Sequence, residues 1–147
     1  MSDFPIPALL ISARQVAVSE LHERLKAEGH GTIREGHGCV FGFIQTDGSR
    51  LTYLAEQSGL TKQAVGEVVD DLQRMGYVER APDPSDGRAK LVRLTEEGVD
   101  ARALARGILE EIEQRWADQI GEERMSTMRE ALEQLHALAT GHAPTPA

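Results

Sequence analysis

The side chains best suited to chemistry in this 147-residue chain are cations and amides near its middle. Three cations, Arg80, Arg88 and Lys90, stand within and beside a segment rich in proline, aspartate and glycine. Lys62 and Gln63 begin a helical pattern upstream of them. Guanidinium and ammonium groups neutralise phosphates, and a side-chain amide can form paired hydrogen bonds with an adenine edge. This combination predicts contact with a nucleic acid rather than covalent catalysis.

The spacing of apolar residues predicts a helix over 62–75, with Thr61 as its N-cap. Its buried face consists of apolar residues at helical spacing: Val65, Val68, Val69, Leu72 and Met75. Once that face is buried, the amino-terminal end presents Thr61, Lys62, Gln63 and the side-chain-free Gly66. This end suits a recognition helix in the major groove, where Gln63 would read adenine and Lys62 would reach guanine or phosphate.

A plain solvated helix face is the alternative for the same residues. The carboxylates of Glu67, Asp70 and Asp71 favour that alternative, because they would repel phosphates. They are compatible with DNA contact if they lie where the helix leaves the groove, or if they pair with Arg74 or with the arginines further along the chain.

Two β-like runs, 77–80 and 90–94, flank a loop predicted over 81–88. A hairpin directly after two helices is a wing, here 81–90. Arg88 follows Asp86 and a glycine at the predicted tip, where an arginine suits insertion into the minor groove. We expect Asp86 to orient Arg88 through a short ion pair, and Arg80 and Lys90 to contact phosphates. A surface turn with incidental charges explains the Asp-Gly pair, but not the convergence of three cations.

The sequence contains no phosphate-binding glycine loop, nucleophile elbow or convincing acid pair, so we expect no enzyme and no cofactor. The five histidines show no ligand spacing with acids or cysteines, which argues against a metal site. Cys39 is the single cysteine and cannot form an internal disulfide, which fits a reducing compartment. A buried structural cysteine is the favoured interpretation of it, over a redox-active thiol.

Flanking elements must hold these groups in place. Helices are predicted over 7–28, 51–58, 96–120 and 122–139, and the apolar segment 39–44 is either a short helix or a strand. The 51–58 helix ends at Gly59, so that a helix, a glycine-containing turn and the 62–75 helix form a helix-turn-helix. The fold class is therefore mainly α with a small β-hairpin wing.

Composition limits the class of protein further. The net charge of -8 argues against nucleic-acid binding at first sight, but residues 61–95 hold six charges of each sign while 96–147 hold five basic and eleven acidic residues. No apolar run is long enough to span a bilayer, and the first residues lack the features of a secretory signal. We expect a cytoplasmic protein with one domain over 1–147, in which 33–94 form the winged lobe.

Three stretches together resemble the MarR family of bacterial regulators: Leu51 to Val65, Val69 to Arg80 and Asp83 to Gly98. The match is continuous over about residues 51–98, a third of the chain. Gly66 departs from the family pattern, which often has serine or threonine there, so this position offers no side chain for a base contact.

The resemblance implies a homodimer that binds a pseudo-palindromic operator in double-stranded DNA. Lys62 and Gln63 would contact the major groove, and Arg88 would contact the minor groove. It also implies a repressor released from DNA by a small molecule, whose contact residues the sequence leaves unknown. A space between the first helix, the 39–44 segment and the long helix is the expected entry point. The dimer has a physical argument as well, because helices 7–28 and 96–140 carry more apolar residues than a winged lobe can cover.

The runner-up interpretation is a winged-helix module that binds protein instead of DNA. Only the acidic net charge favours it, and the cations of the wing weigh against it.

Overall fold

The computed structural model describes residues 3–142, so residues 1, 2 and 143–147 of the predicted domain lie outside the described residues. Six α-helices and a two-stranded antiparallel sheet form this part of the chain, together with a single 3-10 turn at Glu35–His37. The elements are α1 (Ile6–Ala27), α2 (Gly38–Phe41), α3 (Leu51–Ser58), α4 (Lys62–Arg74), β1 (Val78–Asp83), β2 (Asp86–Leu94), α5 (Glu96–Ile120) and α6 (Glu122–Thr140). The predicted mainly α fold with a small β-hairpin is confirmed.

The helix-turn-helix has the boundaries that its capping residues predict. Gly59 ends α3 in the left-handed conformation, with φ of 70°. Thr61 Oγ1 then accepts a hydrogen bond from the Ala64 backbone N–H at 3.1 Å, which satisfies one of the free donors at the start of α4. Val65 and Val69 are fully buried against the core. The capping groups therefore set where the exposed end of α4 begins.

The hairpin differs from its prediction, because most of the segment expected to be a loop at 81–88 is strand. β1 continues through Pro82 to Asp83, and β2 begins at Asp86. Backbone groups of Ser49 pair with Val92 on β2, so β2 lies between Ser49 and β1. An outer strand such as β1 tolerates Pro82, since it has no second neighbour that would need the missing N–H.

The 39–44 segment, for which helix and strand were both open, begins as α2 and continues in a helical turn through hydrogen bonds from Phe43 and Ile44 to Val40. Arg102 of α5 donates to the Ile44 carbonyl oxygen at 2.8 Å. This bond ties the long helix to the segment that leads into the helix-turn-helix.

The start of α5 approaches the winged lobe unusually closely. A Cβ atom on Gly98 would lie 2.0 Å from the carbonyl oxygen of Tyr77 and 3.2 Å from Leu94 Cδ2. Thr95 caps the helix by accepting a hydrogen bond from the Gly98 N–H at 3.1 Å. Only glycine fits at this contact, which sets how α5 leaves the wing.

α1 packs against α5, and ion pairs reinforce this contact: Arg24 with Glu111 at 2.6 Å, and Arg115 with Glu20 at 2.5 Å. The outer surfaces of the flanking helices remain apolar and uncovered. Large exposed apolar residues there are Ile6, Leu9, Leu10, Ile11, Val16, Ile120, Met128, Leu132, Leu135 and Leu138. Within residues 3–142, no helix is both long and apolar enough to cross a membrane.

Candidate nucleic-acid interface

A groove of about 330 Å³ opens between the start of α3, the start of α4 and the hairpin. Four cations line it: Arg50, Lys62, Arg80 and Lys90. The structure thereby brings together Lys62, Arg80 and Lys90, which the sequence indicated separately. It adds Arg50, which the sequence analysis missed.

Lys62 and Lys90 are the cations of this groove that have no ion-pair partner among the described residues. Both are exposed, and neither forms an ion pair or side-chain hydrogen bond with any residue in the described part of the chain. A free ammonium group keeps its full charge for an incoming phosphate, and its release of counterions makes binding dependent on salt. These two lysines are the groups best placed to attract a polyanion.

Arg80 is held by α4. Its Nη2 lies 2.8 Å from Asp70 Oδ1, and its Nη1 donates to Gln73 Oε1 at 2.6 Å. Two of the three carboxylates that argued against DNA contact therefore have local partners, since Asp71 also pairs with Arg74. Arg80 connects the hairpin to α4 and presents less free charge than its position in sequence suggested.

Arg88 lies in a bulge near the tip of the hairpin. Pro82 pairs with Lys90 but Asp83 pairs with Asp86, so residues 87–89 of β2 have no partner in β1. The Arg88 side chain is exposed and has no partner among residues 3–142. The expected ion pair with Asp86 is wrong: Asp86 Oδ1 instead accepts the backbone N–H of Arg88 at 3.1 Å. The carboxylate shapes the turn and leaves the guanidinium group free.

Asp83 is the anchor of the hairpin. Its Oδ2 accepts bonds from Arg50 Nε at 2.8 Å and Nη2 at 2.7 Å, while its Oδ1 accepts the Ser85 N–H and hydroxyl, each at 2.8 Å. The side chain is only 8 % exposed. The bonds from Ser85, and then those from Arg50, lower the pKa of Asp83 to about 2. Asp83 is therefore ionised at neutral pH and holds the wing to the start of α3.

The other predicted contact residues divide by exposure. Thr61, Lys62 and Gln63 are exposed at the start of α4. Gly66 is half-buried, and a Cβ atom on it would lie 3.6 Å from Leu51 Cδ2. Gly66 thus faces α3 in part, and its smallness serves helix packing as much as access to a groove.

A buried histidine supports α4 from behind. The exposed fraction of His37 is 4 %. Its Nδ1 accepts the Arg34 backbone N–H at 2.8 Å, so Nε2 carries the proton and donates to Asp71 Oδ2 at 2.9 Å. This bond, followed by the bond from Arg74, lowers the pKa of Asp71. The segment before α2 is thereby connected to the candidate recognition helix.

Comparisons with known proteins agree with this geometry. The profile of the MarR family matches residues 34–89. An HTH-type transcriptional regulator of Mycobacterium bovis is 36 % identical over 69 residues, covering 40 % of this chain and 48 % of the relative. The chain thus spans about half the length of the curated relative that it matches.

Solved structures extend the likeness to nearly the whole chain. The structure of CouR from Rhodococcus jostii RHA1 bound to p-coumaroyl-CoA is similar with a TM-score of 0.75 and 26 % identity, over 99 % of both chains. The chain therefore resembles the MarR family, by sequence over residues 34–89 and by fold over nearly its whole length. The MepR–DNA complex from S. aureus has the same fold, with a TM-score of 0.71 at 23 % identity over 90 % of this chain and 97 % of that one.

In this chain, the space expected to admit a small molecule is narrow. The gap between α1, α2 and α5 measures about 50 Å³. A cavity of about 370 Å³ lies instead between α5, α6 and Phe43, in a place that the sequence did not indicate. Ligand pockets are usually of the larger size, roughly 300 Å³ or more.

Cys39 is half-buried, and its thiol donates to the Gly36 carbonyl oxygen at 3.3 Å. Burial raises the pKa of Cys39, which keeps the thiol protonated at neutral pH. Among residues 3–142, no group of histidines, cysteines and acids is arranged to hold a metal ion.

The sequence analysis missed three groups at this interface: Arg50, Asp83 and the His37–Asp71 pair. Asp83 was assigned only to a loop, and its partner lies 33 residues away. His37 offered no pattern that would pair it with Asp71. The only signal in the sequence that could have indicated Arg50 was its position immediately before α3.

Proposed function

We propose that this chain is a sequence-specific DNA-binding transcriptional regulator that acts as a homodimer. The observation that carries the proposal is the basic groove between α3, α4 and the wing. Its free lysines are Lys62 and Lys90; the exposed Gln63 follows Lys62 at the start of α4, and the exposed Arg88 lies on the hairpin bulge. This arrangement suits α4 in the major groove, phosphates beside it and the wing tip in the minor groove.

The dimer is supported by the uncovered apolar faces of α1 and of the carboxyl-terminal end of α6, beyond the residues that line the α5–α6 cavity. Ile6 is 69 % exposed, Ile11 68 % and Leu138 83 %. A surface of this size is costly in water, and a second copy of the chain would cover it. Two paired lobes would present two recognition helices about 34 Å apart, which suits a pseudo-palindromic operator.

Repression that a small molecule relieves is the form of regulation that we propose. The cavity beside α5 and α6 has room for such a ligand, and CouR was solved with an acyl-CoA bound.

The proposal is tested by selecting bound fragments from genomic DNA and measuring affinity for them by fluorescence anisotropy. Arg88→Ala is expected to weaken binding to a selected fragment by about tenfold. Arg124→Ala is the matched control, since Arg124 is exposed on α6 and has no partner among the described residues. Equal affinities for the wild type and Arg88→Ala would contradict the role of the wing.

Base reading and phosphate binding can be separated in the same assay. Gln63→Ala is expected to relax sequence preference by ~1 to 3 kcal/mol while leaving non-specific binding nearly unchanged. Because a dimer carries two copies of each lysine, Lys62→Ala and Lys90→Ala should each reduce the slope of log affinity against log salt by about 1.8. Failure of the wild-type protein to enrich any fragment would favour a protein-binding module instead.

A further inference from the structure

The cavity between α5 and α6 has aromatic and apolar walls. Phe43 and His136 stack in parallel, with ring centroids 5.7 Å apart and planes within 5°. Trp116 of α5 and the side chains of Met128 and Leu132 of α6 complete the apolar lining. At about 370 Å³, the cavity accepts a compact molecule with one to a few rings.

The charges at this cavity do not cancel. Arg129 is bound to Glu113, so this cation is already neutralised. Glu133 also lines the cavity, is exposed, and has no partner among residues 3–142. The surrounding segment 96–147 contains eleven acidic and five basic residues. The local field therefore favours a cation, and the aromatic faces would add cation–π attraction to it.

The same cavity touches the helix-turn-helix through one of its walls. His136 Nε2 donates to Gln57 Oε1 at 2.9 Å, which joins α6 to α3. Gln57 is 5 % exposed, and its Nε2 has no hydrogen-bond partner within the described residues. An unsatisfied buried donor is unfavourable, so the Gln57 amide is only half satisfied in this position.

We propose that the α5–α6 cavity binds a lipophilic aromatic cation, and that the His136–Gln57 bond transmits its presence to α3. A ligand packed on His136 moves the ring out of its stack with Phe43 and breaks the bond to Gln57. The position of α3 relative to α6 then changes, and α4 moves with α3. The regulatory half of this inference rests on the proposed DNA-binding function, whereas the binding half does not.

Binding is measured on the full-length protein with two ions of one shape and opposite charge, tetraphenylphosphonium and tetraphenylborate. Trp116 is the single tryptophan of the chain and lines the cavity, so its emission reports occupancy. We expect saturable binding of the phosphonium, with a Kd about tenfold below that of the borate. Equal binding of the two ions overturns the choice of a cation.

Glu133→Gln tests the charge, and Glu123→Gln is its control on the same helix, exposed and outside the cavity. Glu133→Gln should weaken phosphonium binding by about tenfold, and Glu123→Gln should leave it unchanged. An absence of saturable change in the Trp116 emission of the wild-type protein overturns the site, because it means that a second copy of the chain fills the α5–α6 cavity.

Gln57→Met tests the coupling, because it keeps the shape of the side chain and removes the bond to His136. The variant should still bind the phosphonium, but the ion should no longer change its affinity for DNA. If the ion still changes that affinity, the His136–Gln57 route is wrong. If the unliganded wild type binds no DNA, the proposed function fails, while the Trp116 titration still decides whether the site exists.

Discussion

Arg50 and Asp83 are 33 residues apart in sequence, yet both Nε and Nη2 of Arg50 bind the same Asp83 oxygen, at 2.8 and 2.7 Å. Arg50 is the N-cap residue of α3, and Asp83 is the last residue of β1. Together with the backbone bridge between Ser49 and Val92, this ion pair fixes the wing against the start of α3.

Loss of this anchor should loosen the wing without unfolding the protein. We expect Arg50→Ala to speed tryptic cleavage after Arg88 and to lower DNA affinity by more than the loss of one phosphate contact. Arg93→Ala is the control, because Arg93 and Glu79 form a cross-strand pair that is about half exposed on both sides. Equal cleavage rates in the two variants would show that Arg50 does not hold the wing.

The same anchor should impart a pH dependence to stability. The pKa of Asp83 is lowered to about 2, below its ordinary value near ~4. Its ionised form therefore stabilises the folded state above about pH 4, and this contribution is lost as the pH falls from ~4 toward ~2. The stability difference between the wild type and Asp83→Asn, measured by urea unfolding, should shrink over that range. A difference that is constant from pH 5 to about pH 2 would contradict the assignment.

The close approach at Gly98 predicts opposite effects of one substitution at two places in α5. Gly98→Ala places a methyl group 2.0 Å from the Tyr77 carbonyl oxygen, so it should destabilise the protein by at least ~1 to 3 kcal/mol. At Gly107 a Cβ atom meets nothing within 4 Å in the same chain, so Gly107→Ala should stabilise the helix by up to ~1 kcal/mol. Thermal unfolding of both variants at one protein concentration measures the contrast. A stable Gly98→Ala variant would disprove the tight contact.

Asp71 should stabilise the protein as a hydrogen-bond acceptor for His37 and not through its negative charge. Asp71→Ala leaves the buried His37 Nε2–H unpaired, which costs about 1 to 3 kcal/mol. Asp71→Asn keeps an acceptor oxygen for the same donor and should lose less stability. Urea unfolding compares the two variants, and equal losses would mean that the acceptor plays no part.

Asp70 should limit the DNA affinity of the wild type, because it neutralises Arg80 at 2.8 Å. Asp70→Asn removes the ion-pair partner of Arg80, which keeps its bond to Gln73, and removes a negative charge beside the basic groove. We expect non-specific DNA affinity to rise by several-fold, with a steeper dependence on salt. Glu123→Gln removes one negative charge at the far end of α5, whose 25 residues span about 37 Å, and should have little effect. A similar rise in both variants would indicate net charge alone.

Local signals accounted for most of the helical fold. Thr61 caps the helix that it was expected to cap, Thr95 caps α5 in the same way, and Gly59 and Gly121 end the helices before them. Each of these features depends on residues only a few positions apart, so that the local sequence predicts them. The hairpin was misjudged at its edges, because prolines favour a loop unless the strand is an outer one.

The candidate site was predicted in part for the same reason. Exposed groups at the start of α4, such as Lys62 and Gln63, follow from the periodicity of one helix. The ion pair of Arg80 with Asp70 and the unpaired guanidinium of Arg88 do not follow from that periodicity, since each depends on which carboxylate the fold brings within reach.

What the sequence determined by itself is a helix-turn-helix followed by a basic hairpin, because periodicity, caps and turn residues act over a few positions. What only the tertiary structure decided is the pairing of distant polar groups: Arg50 with Asp83, His37 with Asp71, and His136 with Gln57. These bonds depend on packing that joins segments 33 to 79 residues apart, and no local pattern encodes that packing.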